Sequence, residues 1–84
     1  MNYEVILPKS VQKELDRLPT VIADRVLNRL AALETNPRPV DVEKLKGRPA
    51  WRIRVGDYRA IYEINDQSHQ INVVTAAHRR EVYR

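Results

Sequence analysis

Residues 51–64, WRIRVGDYRAIYEI, decide the fold of this chain. Apolar and charged residues alternate in WRIRV, a Gly-Asp pair follows, and YRAIYEI comes after it, which is the pattern of two strands joined by a two-residue hairpin turn. Such a turn predicts a register that places Val55 opposite Tyr58 and Arg54 opposite Arg59. The apolar side chains then point to one face of the hairpin and the arginines to the other.

The segments before the hairpin predict a strand and two helices. Residues 2–8 suit a short strand that ends near Pro8, and residues 8–18 carry an apolar face with helical spacing. Residues 19–37 predict a second helix, with Thr20 as its N-cap and Pro37 as its stop. Their inward apolar positions are Val11, Leu15 and Leu18 in the first helix, and Ile22, Val26, Leu30 and Leu33 in the second.

The remaining segments complete an α+β domain. Residues 37–50 contain three of the five prolines and predict a loop, with a short strand around Leu45. Residues 70–77 alternate again and predict the last strand of an antiparallel meander. We therefore expect residues 1–84 to form a single domain, in which an N-terminal strand and a helical hairpin precede an antiparallel sheet packed on the helices.

Composition excludes several classes of protein. The chain has no cysteine and only two histidines, so we expect neither disulfides nor a metal site, and no cofactor. It has no long apolar run, so we expect no membrane span or signal peptide and a cytoplasmic location. The net charge is +4, and residues 43–84 carry all of the excess, with nine basic and five acidic residues. This asymmetry indicates an acidic or polyanionic partner.

The arginines of the hairpin are the first candidate site. Arg52, Arg54 and Arg59 share one face, and we expect no carboxylate near them on that face. Because like charges directly opposite one another are destabilising, the cluster is either a splayed, solvated surface or an anion site. The chain ends with residues 75–84, TAAHRREVYR, in which Arg79 and Tyr83 share a face whether the segment is helical or extended.

Three of these motifs, taken in order, resemble a known family. KLKG at 44–47, WRIRVGDYRAIYEI at 51–64 and HRREVY at 78–83 resemble the RelE type of bacterial toxin, in the RelE/ParE superfamily. The resemblance covers essentially the whole chain. It implies a ribosome-dependent mRNA endonuclease that cuts in the ribosomal A site by metal-free attack of a 2′-hydroxyl, and so inhibits translation. By position, the resemblance implies catalytic roles for Arg52, Arg54, Arg59, Arg79 and Tyr83, and His78 is a further candidate.

The sequence departs from some relatives, which have lysine in place of Arg52 and Arg54. Arginine cannot be deprotonated in proteins, so these two residues can stabilise negative charge but cannot act as a base. Tyr83 is the first candidate for proton transfer and His78 the second. We expect Lys44, Lys46 and Arg80 to contact RNA phosphates.

The resemblance also implies partners. It predicts a RelB-like antitoxin, acidic and folding on binding, together with the ribosome, mRNA and operator DNA bound by the toxin-antitoxin complex, and no membrane. Two other functions remain open: a ParE-like inhibitor of DNA gyrase that acts by protein binding, and a plain RNA-binding module. The hairpin lacks the exposed aromatic pairs on which bases usually stack, which disfavours the last of these.

Overall fold

The structure is a computed structural model that describes residues 2–82. Its elements follow the order β1 (Glu4–Ile6), α1 (Lys9–Asp16), α2 (Thr20–Ala32), β2 (Glu43–Lys44), β3 (Ala50–Val55), β4 (Tyr58–Asn65), β5 (Gln70–His78) and α3 (Arg79–Val82). The strands form one five-stranded sheet in the order β1-β5-β4-β3-β2. The predicted α+β fold is confirmed.

The hairpin of β3 and β4 has the predicted register. Val55 pairs with Tyr58 and Arg54 pairs with Arg59. Gly56 occupies the first turn position with φ of 58°, a conformation that glycine adopts without the steric cost that a side chain imposes. The turn chemistry therefore places two guanidinium groups directly across the hairpin.

The sheet is wider than the predicted three-strand meander. β1 pairs with β5 in parallel, and β2 pairs with β3 in antiparallel orientation through Glu43 and Lys44. The short strand expected around Leu45 therefore lies one residue earlier. Both edge strands were expected as short strands, but their places in the sheet depend on long-range pairing that no period-two pattern shows.

The two helices begin and end differently from the prediction. Thr20 is the first residue of α2 rather than its N-cap; the N-cap is Pro19, and no side chain caps the helix. Pro19 fills this role because its extended backbone (ψ 140°) still presents a carbonyl that accepts the Ala23 N–H at 2.9 Å. The helix also ends at Ala32, well before Pro37, because the next amide groups bond three residues back and tighten the last turn.

The core lies between the helices and the inner face of the sheet. Val11 and Leu15 of α1, with Val26 and Leu30 of α2, are buried as predicted. The sheet contributes buried residues from β3, β4 and β5, namely Ile53, Val55, Ala60, Tyr62, Ile71, Val73 and Ala76. No helix within residues 2–82 is long and apolar enough to cross a membrane. The outer face of the β3–β4 hairpin is left to carry the polar site.

Candidate functional site

A cleft of about 430 Å³ lies on the outer face of the hairpin and extends to the first residues of α3. We call it the arginine cleft. Within residues 2–82, its lining consists of five arginines and one glutamate and so carries a formal charge of +4: Arg52, Arg54, Arg59, Arg79, Arg80 and Glu43. Such a concentration of one charge sign attracts anions.

The hairpin supplies three of the five arginines. Arg52 and Arg54 alternate with buried residues along β3 and therefore point away from the core. Arg59 lies opposite Arg54, and its Nη1 donates hydrogen bonds to the carbonyl oxygens of Gly56 (2.8 Å) and Tyr58 (2.9 Å). These bonds fix the Arg59 guanidinium beside the turn. The three predicted hairpin residues therefore line one surface.

The tail supplies the other two arginines. α3 follows β5 directly, and the backbone N–H of Arg79 donates to the carbonyl of Asp57 in the hairpin turn at 2.8 Å. The Nε of Arg79 lies 3.9 Å from a carboxylate oxygen of Asp57, which is a loose and exposed ion pair. This backbone bond, together with the pairing of His78 with Tyr58, brings the tail and its Arg79 and Arg80 to the strand arginines.

The expectation that this face would lack a carboxylate is wrong. Glu43 in β2 pairs with Arg52 across the strands, and its Oε2 accepts a hydrogen bond from the Arg52 guanidinium. The Glu43 side chain is 67% exposed, so the ion pair adds little stability, and a phosphate could replace the carboxylate at Arg52. Sequence reasoning missed Glu43 because a strand of two residues has no periodic signal.

Two arginines of the cleft offer unpaired guanidinium groups. Within residues 2–82, the side chains of Arg54 and Arg80 make no hydrogen bond or ion pair. Five N–H donors on each remain available to a ligand. Guanidinium groups match the oxygens of phosphate and carboxylate groups, so the cleft is suited to hold a bound oxyanion.

His78 does not face the arginine cleft. It lines a separate cleft of about 280 Å³ beside Glu14 and Arg17 of the α1 region. Its ring contacts Tyr58 edge to face at 5.2 Å, and its Nδ1 accepts the backbone N–H of Arg80 at 3.2 Å. The strand register explains this position, because His78 pairs with Tyr58, which lies on the opposite face of β4 from Arg59. The structure thus separates His78 from the arginines.

The residues predicted to contact RNA phosphates do not all lie at the arginine cleft. Lys44 lies on the opposite face of β2 from Glu43, where its Nζ is 5.9 Å from the ring centre of Trp51. Lys46 lies exposed in the loop before β3 and does not line the arginine cleft. Of the three predicted phosphate contacts, only Arg80 lines the cleft. Tyr83 lies outside the described residues.

Side-chain bridges hold the loop that leads from α2 to Glu43. The hydroxyl of buried Tyr62 donates to the Pro37 carbonyl at 2.7 Å. Arg38 donates two hydrogen bonds to the Asp66 carboxylate, and its guanidinium lies 5.0 Å from the Trp51 ring centre. This loop is therefore attached to the sheet at its centre and at the turn that follows β4. Within residues 2–82, no group of three or more His, Asp and Glu side chains could hold a metal ion.

The fold and the cleft define a small basic α+β domain with an arginine-lined anion site. The chain belongs to the ParE toxin family of type II toxin-antitoxin systems, whose family model matches residues 5–83. A Methanocaldococcus jannaschii protein that bears the toxin name RelE1 is 32% identical over 68 residues, which is 76% of each chain. The predicted membership of the RelE/ParE superfamily is thus confirmed.

Solved structures agree with this assignment. The toxin in the RelE-RelB complex of Pyrococcus horikoshii is 34% identical, with a TM-score of 0.83 over 96% of this chain and 99% of that one. A free mutant form of E. coli RelE has the same TM-score of 0.83, with 24% identity over 99% of this chain and 92% of that one. The second likeness shows the fold alone.

Proposed function

We propose that this toxin is a ribosome-dependent endoribonuclease that cuts mRNA in the ribosomal A site and so blocks translation. The observation that carries the proposal is the convergence of five arginines from β3, β4 and α3 in one cleft. A surface that only binds another protein does not need so many guanidinium groups of the same sign at one point. A site that stabilises a phosphoryl group as it gains charge does.

The reaction that this cleft suits is attack of an RNA 2′-hydroxyl on the adjacent phosphate. The 2′-oxygen forms a bond to phosphorus, the bond from phosphorus to the 5′-oxygen breaks, and a cyclic phosphate and a 5′-hydroxyl result. One proton leaves the 2′-hydroxyl and one is delivered to the 5′-oxygen. Arg52, Arg54, Arg59 and Arg79 stabilise the negative charge on the phosphoryl oxygens, and one well-placed donor contributes roughly 3 kcal/mol.

The structure supports Glu43 as the acceptor of the 2′-hydroxyl proton. It is the one carboxylate among the described residues that line the cleft, and arginine cannot fill this role. Phosphate binding to Arg52 would release Glu43 from its ion pair at the same place. His78 faces the other cleft, which leaves it poorly placed for this transfer. Tyr83 stays the first predicted candidate for proton transfer, and a Tyr83→Phe variant that cuts as fast as wild type would exclude it.

An antitoxin is the proposed protein partner. The toxins of Pyrococcus horikoshii and Mycobacterium tuberculosis, to which this chain is similar, were solved in complexes with antitoxins. We expect a RelB-like antitoxin, with an acidic segment that folds on binding, neutralises the arginine cleft and keeps the toxin inactive. We also expect the complex to bind its own operator DNA, and the toxin to act in the cytoplasm.

The proposed activity is tested on ribosomes programmed with a defined mRNA. Primer extension maps the cut with and without ribosomes, and a second mRNA carries a 2′-deoxynucleotide at the position of the cut. The proposal predicts a codon-phased cut that requires both the ribosome and the 2′-hydroxyl. A cut of equal rate in the deoxy-substituted mRNA would refute the chemistry, and no cut in either mRNA would refute the function.

A second candidate function is inhibition of DNA gyrase by protein binding. It is favoured by the family model, which is that of ParE toxins. A supercoiling assay with purified gyrase, run beside the ribosome assay, separates the two. Inhibited supercoiling without any mRNA cut would assign the protein to the gyrase inhibitors and make the arginine cleft a docking surface.

A further inference from the structure

A second basic cleft adjoins the first on the side of α2. Its volume is about 310 Å³, and its lining is Arg25, Asn28, Arg29, Arg54, Val55 and Gly56. Arg54 is therefore common to both clefts. A ligand that passes Arg54 can therefore contact both clefts.

The edge of the sheet is open where the two clefts meet. β2 pairs with β3 through Trp51 and Arg52, so within residues 2–82 no strand covers this edge of β3 at Arg54. α2 lies against this edge instead, and Nη1 of Arg29 donates to the Arg54 carbonyl at 3.4 Å. The hydrogen bond joins the helix to the strand at the shared residue.

α2 presents a row of hydrogen-bond donors to the second cleft. Arg25, Asn28 and Arg29 are spaced i, i+3 and i+4, so they share one helical face. Arg29 is paired with Asp41 at 2.8 Å. Within residues 2–82, the side chains of Arg25 and Asn28 have no hydrogen-bond or ion-pair partner, which leaves a guanidinium and an amide available to a ligand.

We propose that Arg25 and Asn28 form a second phosphate subsite, which binds the mRNA backbone beside the phosphate that is cut. This inference rests on the proposed nuclease function and adds to it the course of the substrate strand. Phosphate oxygens accept hydrogen bonds from arginine and asparagine and carry no base information, so the subsite positions the strand for any sequence. The two clefts share Arg54, so an mRNA strand held in the arginine cleft places its next phosphates in the second cleft. This favours the mRNA, rather than a separate partner, as the ligand of the second cleft.

The test compares Arg25→Ala with Lys13→Ala, a variant that removes the same charge from α1, away from both clefts. Binding is measured on ribosomes programmed with mRNA that a 2′-deoxynucleotide protects from cutting, over a series of salt concentrations. Arg25→Ala is expected to weaken binding about tenfold at low salt. It should also reduce the slope of log K against log salt by about 0.7, the value for one phosphate of a single strand. Lys13→Ala is expected to match wild type.

Uncharged methylphosphonate linkages identify the ligand. They are placed one at a time at the phosphates that flank the cut. The proposal predicts one position at which the linkage weakens wild-type binding and removes the difference between wild type and Arg25→Ala. A difference that persists with every linkage would show that the subsite contacts ribosomal RNA instead of mRNA, and would overturn the proposal.

Two further outcomes separate this inference from the proposed function. Normal ribosome binding by Arg25→Ala would overturn the subsite while leaving the nuclease function standing. If Arg25→Ala weakened only the binding of an acidic antitoxin, this surface would be assigned to the antitoxin. A wild-type protein that neither binds nor cuts on programmed ribosomes would refute the nuclease function itself.

Discussion

Replacing Tyr62 with phenylalanine should destabilise the protein at pH 7, and this difference in stability from wild type should disappear near pH 11. The Tyr62 side chain is fully buried, and its hydroxyl donates to the Pro37 carbonyl at 2.7 Å. Phenylalanine fills the same space but leaves that carbonyl without its donor, which costs about 1.5 kcal/mol. For a domain of this size, the melting temperature should fall by roughly 6–12 °C at pH 7.

The pH dependence follows from the ionisation of the same hydroxyl. Burial raises the pKa of Tyr62 to about 12, and the positive charges of Arg38 and Arg29 only partly oppose this. In the unfolded chain the pKa is about 10, so between pH 10 and 12 the unfolded state loses the proton first. It then binds fewer protons than the folded state, and stability falls as the pH rises. The loss is about 1.4 kcal/mol at pH 11.

Phenylalanine has no proton to lose, so the two proteins should be almost equally stable near pH 11. The assay is urea unfolding followed by circular dichroism at pH 7, 9 and 11. Tyr58→Phe is the control, because within residues 2–82 the Tyr58 hydroxyl has no hydrogen-bond partner, and its difference from wild type should stay small at pH 7. A Tyr62→Phe deficit that is the same at pH 7 and pH 11 would refute the argument.

Three further changes test other contacts. Glu43→Gln should slow single-turnover cleavage about 10²–10⁴-fold while ribosome binding remains, since it removes a proton acceptor; an unchanged rate would exclude that role. Asp66→Asn should lower thermal stability slightly at pH 7 and have no effect well below pH 4. Arg38 and Tyr3 lower the pKa of the Asp66 carboxyl, so the stabilisation by its ionised form is lost as the pH falls. A deficit that persists at pH 2 would contradict this. Thr75→Val should cost about 1–2 kcal/mol in urea unfolding by removing the 2.7 Å hydrogen bond to Glu14, and an unchanged midpoint would show that the bond is dispensable.

The sequence predicted those parts of the fold that local chemistry determines. The Gly-Asp turn fixes the hairpin register, so the cross-strand pairing of Arg54 with Arg59 could be predicted from the sequence. The buried positions of both helices followed from their 3.6-residue period. The convergence of Arg79 on the strand arginines was predicted only from the resemblance, because it depends on a backbone bond to Asp57 that no local pattern shows.

The parts that the sequence did not reveal depend on pairing between distant segments. Glu43 reaches the arginine cleft through a two-residue strand whose position is set by β3 and by the bridges that hold its loop. Arg25 reaches the second cleft because α2 packs against the open edge of β3. The separation of His78 from the strand arginines could have been found, since His78 pairs with Tyr58, which alternation places on the face opposite to Arg59.

The most direct test of the account is the single-turnover rate at which an Arg54→Ala variant cuts mRNA on programmed ribosomes. Arg54 is exposed and has no side-chain partner within residues 2–82, so its removal should leave the fold intact, which circular dichroism verifies. The account predicts a rate about 10²–10³-fold below wild type at saturating protein, while Lys13→Ala cuts normally. An Arg54→Ala protein that cuts as fast as wild type would contradict the claim that the arginine cleft is the catalytic site.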